Sequence, residues 1–160
     1  MKIQFSKKVK TALETGKPIL ALESTLIAHG MPYPDNQEFA QNIDEFCLKH
    51  NVVPAVIAIL NGKIRAGLSA EELAFIAQHE SVKKVSRREL GIAVSKKWNG
   101  ATTVSSTLHI ASQAGIQVFA TGGVGGVHLG AEYSFDVSED LVALANIPMI
   151  VISAGAKAVL

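Results

Sequence analysis

The sequence predicts an α/β layered fold, with a mostly parallel central sheet flanked by helices. Three observations point to it. Apolar runs alternate along the chain with helical patterns. Four of those runs, Ile19–Ser24 ("ILALES"), Pro54–Leu60 ("PAVIAIL"), Ile116–Thr121 ("IQVFAT") and Pro148–Ser153 ("PMIVIS"), show no apolar–polar alternation. Short unbroken runs rich in Val and Ile suit strands buried on both faces of a parallel sheet. Finally, 160 residues, 48% of them apolar, suit one domain with one sizeable core.

The elements follow in order. After the first run, a helix is predicted over Asp35–Lys49, where Asp35-x-x-Glu38 has the form of a capping box. The second run ends at Asn61-Gly62, a hairpin signal, so Lys63–Gly67 is predicted to fold back as an antiparallel strand. Ser69-x-x-Glu72 has the same capping form and opens a helix reaching His79. Further helical patterns cover Arg87–Lys97, Thr103–Gln113 and Ser138–Ala145. No repeat, low-complexity segment or linker interrupts this series.

Composition narrows the function classes. A charged fraction of 18% with mean hydropathy +0.27 argues against disorder. A net charge of +1 gives no sign of nucleic-acid or membrane-surface binding. No apolar run approaches the roughly 18 residues that a membrane span needs. The start, "MKIQFSKKVKTALETGK", lacks the apolar stretch of a signal peptide, so a cytoplasmic location is expected. The single cysteine, Cys47, excludes an intramolecular disulfide and reads as a core residue of a helical pattern.

A sheet of this kind places its working residues in the loops after the carboxyl ends of its strands. Here those loops read "ESTLIAHGMPYP", "GGVGGVHLGAEYSFDVSED" and "AGAK". Glu23 ends an apolar run, where a carboxylate must be solvated, paired or neutral. That suits a general acid or base of raised pKa, and equally a structural acceptor for loop N–H groups. Lys157 has small neighbours that would let a substrate carbon approach, as a Schiff-base lysine requires. Position alone favours a plain exposed lysine near the chain end.

Gly122–Gly130 contains neither G-x-G-x-x-G nor a P-loop, so neither a dinucleotide fold nor an NTPase is supported. Such a loop can bring N–H groups to an anion or simply reverse the chain. The hydroxyls of "GATTVSST" stand near a helix start, where phosphate binds, although ordinary capping by Thr102 or Thr103 accounts for them too. Lys84, Arg87 and Arg88 offer charge to a phosphate or form a solvated face. His128, Glu132, Asp136 and Asp140 fall four apart, but Gly130 and the Phe-Asp-Val run argue against one continuous helix. Their hard oxygen donors suit Mg²⁺ or Mn²⁺ rather than Zn²⁺, although spacing alone favours no metal site. His29, His50, His79 and His109 show no ligand spacing and read as structural or surface residues.

Several segments together carry a stronger signal. "ALESTLIAHGMPYPDN", "PAVIAILNGKIRAGLS", "KKVSRREL", "GATTVSSTLHIASQAGIQVFATGGVGGVHLGAEYSFDVSEDL" and "ISAGAKAVL" closely resemble the pseudouridine-5′-phosphate glycosidase family, in one collinear order from about Pro18 onward. The resemblance implies an α/β homotrimer that uses a divalent metal, usually Mn²⁺. It implies reversible cleavage of pseudouridine 5′-phosphate to uracil and ribose 5-phosphate. By the same resemblance, Lys157 matches the Schiff-base nucleophile and Glu23 the proton donor to the ribose ring oxygen. Asp136 matches the metal ligand. Ser138, Glu139 and Asp140 match the substrate-binding stretch, with Asp140 also a candidate for proton transfer at uracil C5. Lys84, Val104 (through its backbone) and His128 match substrate contacts.

Two features depart from the family. Leu129 follows His128 where relatives often carry Arg. Family members also run to roughly twice this length, so residues 1–160 read as the N-terminal half of a larger glycosidase domain. The alternatives are a Schiff-base aldolase acting on a sugar phosphate, or an inactive fragment that oligomerises or binds sugar phosphate.

Overall fold

The computed structural model describes residues 2–157. The chain opens with β1 (Ile3–Phe5), α1 (Lys7–Thr15) and β2 (Ile19–Leu22). A π-helical turn (Leu26–Gly30) leads to α2 (Asp35–Lys49), β3 (Val53–Leu60) and β4 (Lys63–Ala66). Next come α3 (Ala70–Gln78), β5 (Val82–Val85), a 3₁₀ turn (Arg87–Glu89), α4 (Leu90–Ser95) and β6 (Asn99–Thr102). Then follow α5 (Val104–Gln113), β7 (Val118–Thr121), α6 (Ala131–Ser134), α7 (Glu139–Asn146) and β8 (Ile150–Ser153). Met1 and residues 158–160 lie outside the described residues.

The strands form one eight-stranded sheet along the path β1-β4-β3-β2-β7-β8, with β6 on β3 and β5 on β6. Only β3–β4 and β3–β6 are antiparallel, so the sheet is mostly parallel as expected. β3 changes partners half-way along. Val53–Val56 pairs with β2, while Ile57–Leu60 pairs with β4 on one edge. Ala58 and Ile59 pair with β6 on the other edge, the one β2 occupies further back.

That exchange has a consequence for function. β2 runs with β3 and β6 runs against it, so their carboxyl ends meet beside Ile57. The junction is hydrogen-bonded shut. The buried Ser24 hydroxyl donates to Ile57 O at 2.6 Å and accepts from Thr102 N–H at 2.8 Å. The Thr102 hydroxyl donates to the same carbonyl at 2.6 Å. β7 and β8 share the direction of β2, and β5 shares that of β6. Two sets of strand carboxyl ends therefore face one another across this junction.

Burial on both faces explains why "PAVIAIL" shows no alternation. Ala55, Ile57 and Ile59 point into a core with Phe119, Leu108 and Ile110. Val56 and Ala58 point the other way, toward Ile27, Ala40 and Ile76. Alternate side chains of one strand thus enter different layers.

Several expectations need correction. Residues 87–97 do not form one helix: a 3₁₀ turn precedes the short α4. Ser86 caps that turn in a capping box with Glu89, which starts the segment one residue before Arg87. The Asp35 capping box does not form either. Pro34 is the N-cap, without a side-chain bond, and Asp35 and Glu38 sit in the first turn, favourably for the helix dipole. The Ser69–Glu72 box forms as expected. The strands β1, β5 and β6 and the helix α1 were not expected. Among the described residues, no helix is long and apolar enough to cross a membrane.

Candidate functional site

Glu23 follows β2 directly, beside the β2–β6 junction. Thr121, at the end of neighbouring β7, donates its hydroxyl to Glu23 Oε1 in a short hydrogen bond. Burial raises the Glu23 pKa above the ordinary carboxylate value. The Thr121 bond and the charges of Lys157 and Lys84 pull it down, while Asp140 pushes it up. The half-buried strand-end carboxyl is thus bonded to Thr121 and shares its cleft with the amines of Lys84 and Lys157.

Lys157 lies beyond β8, the strand next to β7. Its backbone is tied to the Gly-rich loop. Lys157 N–H donates to Val124 O at 3.0 Å, and Val124 N–H donates to Gly155 O at 3.0 Å. Gly155 adopts φ 137°, in the region that favours glycine. A Cβ on Gly123 would stand 3.3 Å from Lys157 Cγ and 3.4 Å from Gly155 O, so the loop and the tail are closely packed. Lys157 is exposed and borders the clefts described below.

The Gly-rich loop is held from beneath by Asp140, which is only 4% exposed. Its Oδ2 accepts Gly125 N–H and its Oδ1 accepts Ser105 N–H in the first turn of α5, both at 2.9 Å. A Cβ on Gly125 would overlap the Ser138 hydroxyl, so only glycine allows this approach. Asp140 thus joins the loop, α5 and α7. Both of its oxygens face backbone donors rather than open solvent.

His128 and Asp136 do meet, but not along a helix. Val127 and Val137 pair across a loop containing only the short α6. This brings His128 Nδ1 within 2.6 Å of Asp136 Oδ2. Glu132, the remaining acid of that series, is exposed. Among the described residues, no three His, Cys, Asp or Glu side chains converge as metal donors. The loop thus offers two exposed carboxylates, of which Asp136 alone is oriented by an imidazole.

Two adjoining clefts collect these groups. One, of about 610 Å³, is walled by Glu23, Thr25, Leu26, His29, Lys84, Gly122, Gly123 and Lys157. The other, of about 660 Å³, holds Ser86, Arg88, Thr103, His128, Asp136, Ser138, Glu139 and Asp140. Lys84 and Lys157 border both. Ser138 caps α7 by accepting Asp140 N–H at 3.2 Å. Glu139 accepts from Arg88 Nε at 2.8 Å. The Val104 side chain is fully buried, leaving the residue's backbone at the start of α5.

Comparison with known proteins identifies the lineage. The family described as "Indigoidine synthase A like protein" matches residues 8–160. The chain belongs to this family. Among its members it is 52% identical over 159 residues to the pseudouridine-5′-phosphate glycosidase of Escherichia coli strain K12, covering 99% of this chain and 51% of that protein. It is 52% identical over 158 residues to the enzyme of the same name from Caldanaerobacter subterraneus, covering 99% and 52%. Among solved structures, the prealnumycin C-glycosynthase AlnA in complex with ribulose 5-phosphate superposes with a TM-score of 0.88 at 39% identity, covering 99% of this chain and 51% of that one. An indigoidine synthase A-like protein from Thermotoga maritima gives 0.88 at 38% identity, with the same coverage. The chain spans about half the length of these family members.

Sequence reasoning missed Thr121 and His29. Thr121 is the last residue of an apolar run, and its polar end was the available signal. His29 has no periodic partner, and only the fold brings it to the cleft.

Proposed function

We propose that the protein of which these residues are part is a pseudouridine-5′-phosphate glycosidase, acting through a lysine imine. One observation carries the reading: β2 and β8, separated by β7, bring a half-buried carboxyl and an amine to the same cleft. The identity of about half the residues to proteins of that name supports it.

The chemistry asked of these groups balances. Glu23, whose hold on its proton is strengthened by burial, gives that proton to the ribose ring oxygen as the C1′–O bond breaks. The Lys157 amine bonds to C1′. The nitrogen sheds one proton, and its lone pair then forms the protonated imine C=N as the C1′–C5 bond breaks. The electron pair left on C5 of uracil takes up the proton shed by the nitrogen. Water hydrolyses the protonated imine, giving ribose 5-phosphate and free Lys157, and the proton released restores Glu23. Dividing the reaction this way replaces one difficult step with easier ones.

Lys84, Arg88 and the hydroxyls of Ser86, Thr103 and Ser138 suit the phosphate, and His128 suits the sugar or phosphate. Asp140, locked to two N–H groups, holds the loop. A proton-transfer role at C5 would require those bonds to loosen. Asp136 would hold a divalent cation, Mn²⁺ above others, through its free carboxylate oxygen and water, as hard and largely hydrated ions allow. Such an ion would supply positive charge near the phosphate. The reading carries with it a cytoplasmic setting and a homotrimer.

The test is release of uracil from pseudouridine 5′-phosphate by the purified protein with Mn²⁺ added. Uracil release that is lost in Lys157→Ala is the expected result. No release refutes the activity for this chain.

A second reading has one observation in its favour. The superposition on a C-glycosynthase at 39% identity fits use of the same imine to form a C–C bond to another aromatic ring. Product formation from ribose 5-phosphate with a ring other than uracil would favour it.

A further inference from the structure

His29, an exposed residue, stands outside the roles above, on a turn whose backbone is held firmly. It rides on the π-helical turn that begins three residues after Glu23. That turn is anchored on both sides. Thr25 donates to Thr102 O at 2.8 Å, and Ala28 N–H donates to Ser24 O at 2.9 Å. Asn36, only 2% exposed, donates from Nδ2 to Ile27 O and to Ala77 O, each at 2.8 Å. These bonds fix the backbone from which His29 borders the cleft of Glu23, Lys84 and Lys157.

The two clefts differ in chemistry. The one without His29 carries several hydroxyls and Arg88, which suit a phosphate, beside carboxylates of which Glu139 is paired with Arg88. In the His29 cleft, the remaining walls are mostly Leu26, glycine and alanine. Glycines let a flat ring approach the backbone closely. Such a ring still needs a partner for its polar edge. Burial and the Lys84 charge lower the His29 pKa below its ordinary value, which favours neutral imidazole. A neutral imidazole offers one donor and one acceptor. A pyrimidine-dione presents adjoining C=O acceptors and N–H donors, so the two edges match.

We propose that His29 is the residue that recognises the pyrimidine base, by hydrogen bonding to its C=O/N–H edge in the cleft beside Lys157. This rests on the glycosidase reading and adds a base subsite to it. The base then lies on the Glu23 side of Lys157, and the phosphate lies on the Arg88 side.

The test follows the His29 ring by NMR, with its signals assigned through His29→Gln. Uracil is titrated into the protein in the presence of ribose 5-phosphate. The His29 signals are expected to move saturably with uracil and to stay in place with ribose 5-phosphate alone. In the synthetic direction, His29→Ala is expected to raise KM for uracil about tenfold, the loss of one hydrogen bond. KM for ribose 5-phosphate should stay within about twofold, and His29→Gln, which keeps a donor and an acceptor, should recover most of the loss. Unmoved His29 signals, or equal rises in both KM values, overturn the inference. If borohydride traps no ribose 5-phosphate on Lys157, the glycosidase reading fails instead, and the uracil titration still decides the role of His29.

Discussion

Glu23 and Lys157 share a cleft but rest on opposite kinds of support. Glu23 follows β2, which has β3 on one side and β7 on the other. Its neighbour Ser24 is fully buried and bonded into the junction with Thr102. Lys157 follows β8, which pairs with β7 alone among the described residues. There Ile150 and Ile152 are 62% and 58% exposed. The acid is positioned by the core, whereas the amine is positioned by two backbone bonds to a glycine loop. Changes in the interior should therefore act on Glu23 through stability, and changes in the loop should act on Lys157 through placement.

The largest effect should separate the two ends of the sheet. Ile57→Ala should cost about 2–5 kcal/mol in urea unfolding, because the fully buried side chain leaves a cavity. Ile152→Ala should change stability by only about 0.5 kcal/mol, as an exposed position. Equal costs would break the contrast.

Asp140→Asn comes next. One amide nitrogen would then face a backbone N–H, leaving a buried donor unmatched at a cost of about 1–3 kcal/mol. The substitution also removes a charge that raises the Glu23 pKa, so that pKa should fall.

A smaller effect, of opposite sign, is expected at Glu23 itself. Because burial raises its pKa in the fold, the folded state holds the proton more tightly than the unfolded chain does. Stability is thus lost as pH rises from the unfolded Glu pKa through the folded one. Glu23→Gln removes that loss. Its Tm should match the parent in acid and exceed it at neutral pH. A Tm advantage independent of pH would contradict the burial argument.

The smallest stability effect should come from Gly123→Ala. The added methyl meets Lys157 Cγ at 3.3 Å. Tm should stay within about 1 °C. Imine formation should slow about threefold or more, since small displacements of a reacting group are costly.

Much of this was legible in the sequence, for identifiable reasons. The four apolar runs became β2, β3, β7 and β8, but only β3 is closed on both faces, and β8 leaves Ile150 and Ile152 exposed. Asn61-Gly62 set the hairpin that pairs Leu60 with Lys63. β5 and β6 were not legible. "VKKV" exposes two lysines, and "NGAT" contains weak strand formers. Pairing with β3 makes β6 a strand, and Gly100 is needed there because a Cβ would meet Val85 Cγ2 at 2.6 Å. At the site, Glu23 stood out as a charge at an apolar strand end, whereas Lys157 read by position as a plain exposed lysine and was singled out by the family resemblance. The double role of Asp140 did not, because its backbone partners lie 15 and 35 residues away.

The proposed function requires that β2, β7 and β8 hold an imine-forming lysine beside a proton-donating carboxyl. Borohydride reduction in the presence of ribose 5-phosphate, followed by peptide mass analysis, tests it most directly. One adduct per chain on Lys157, absent in Lys157→Ala and slower in Glu23→Gln, is the predicted result. An adduct on Lys84 instead, or one that survives Lys157→Ala, would contradict it.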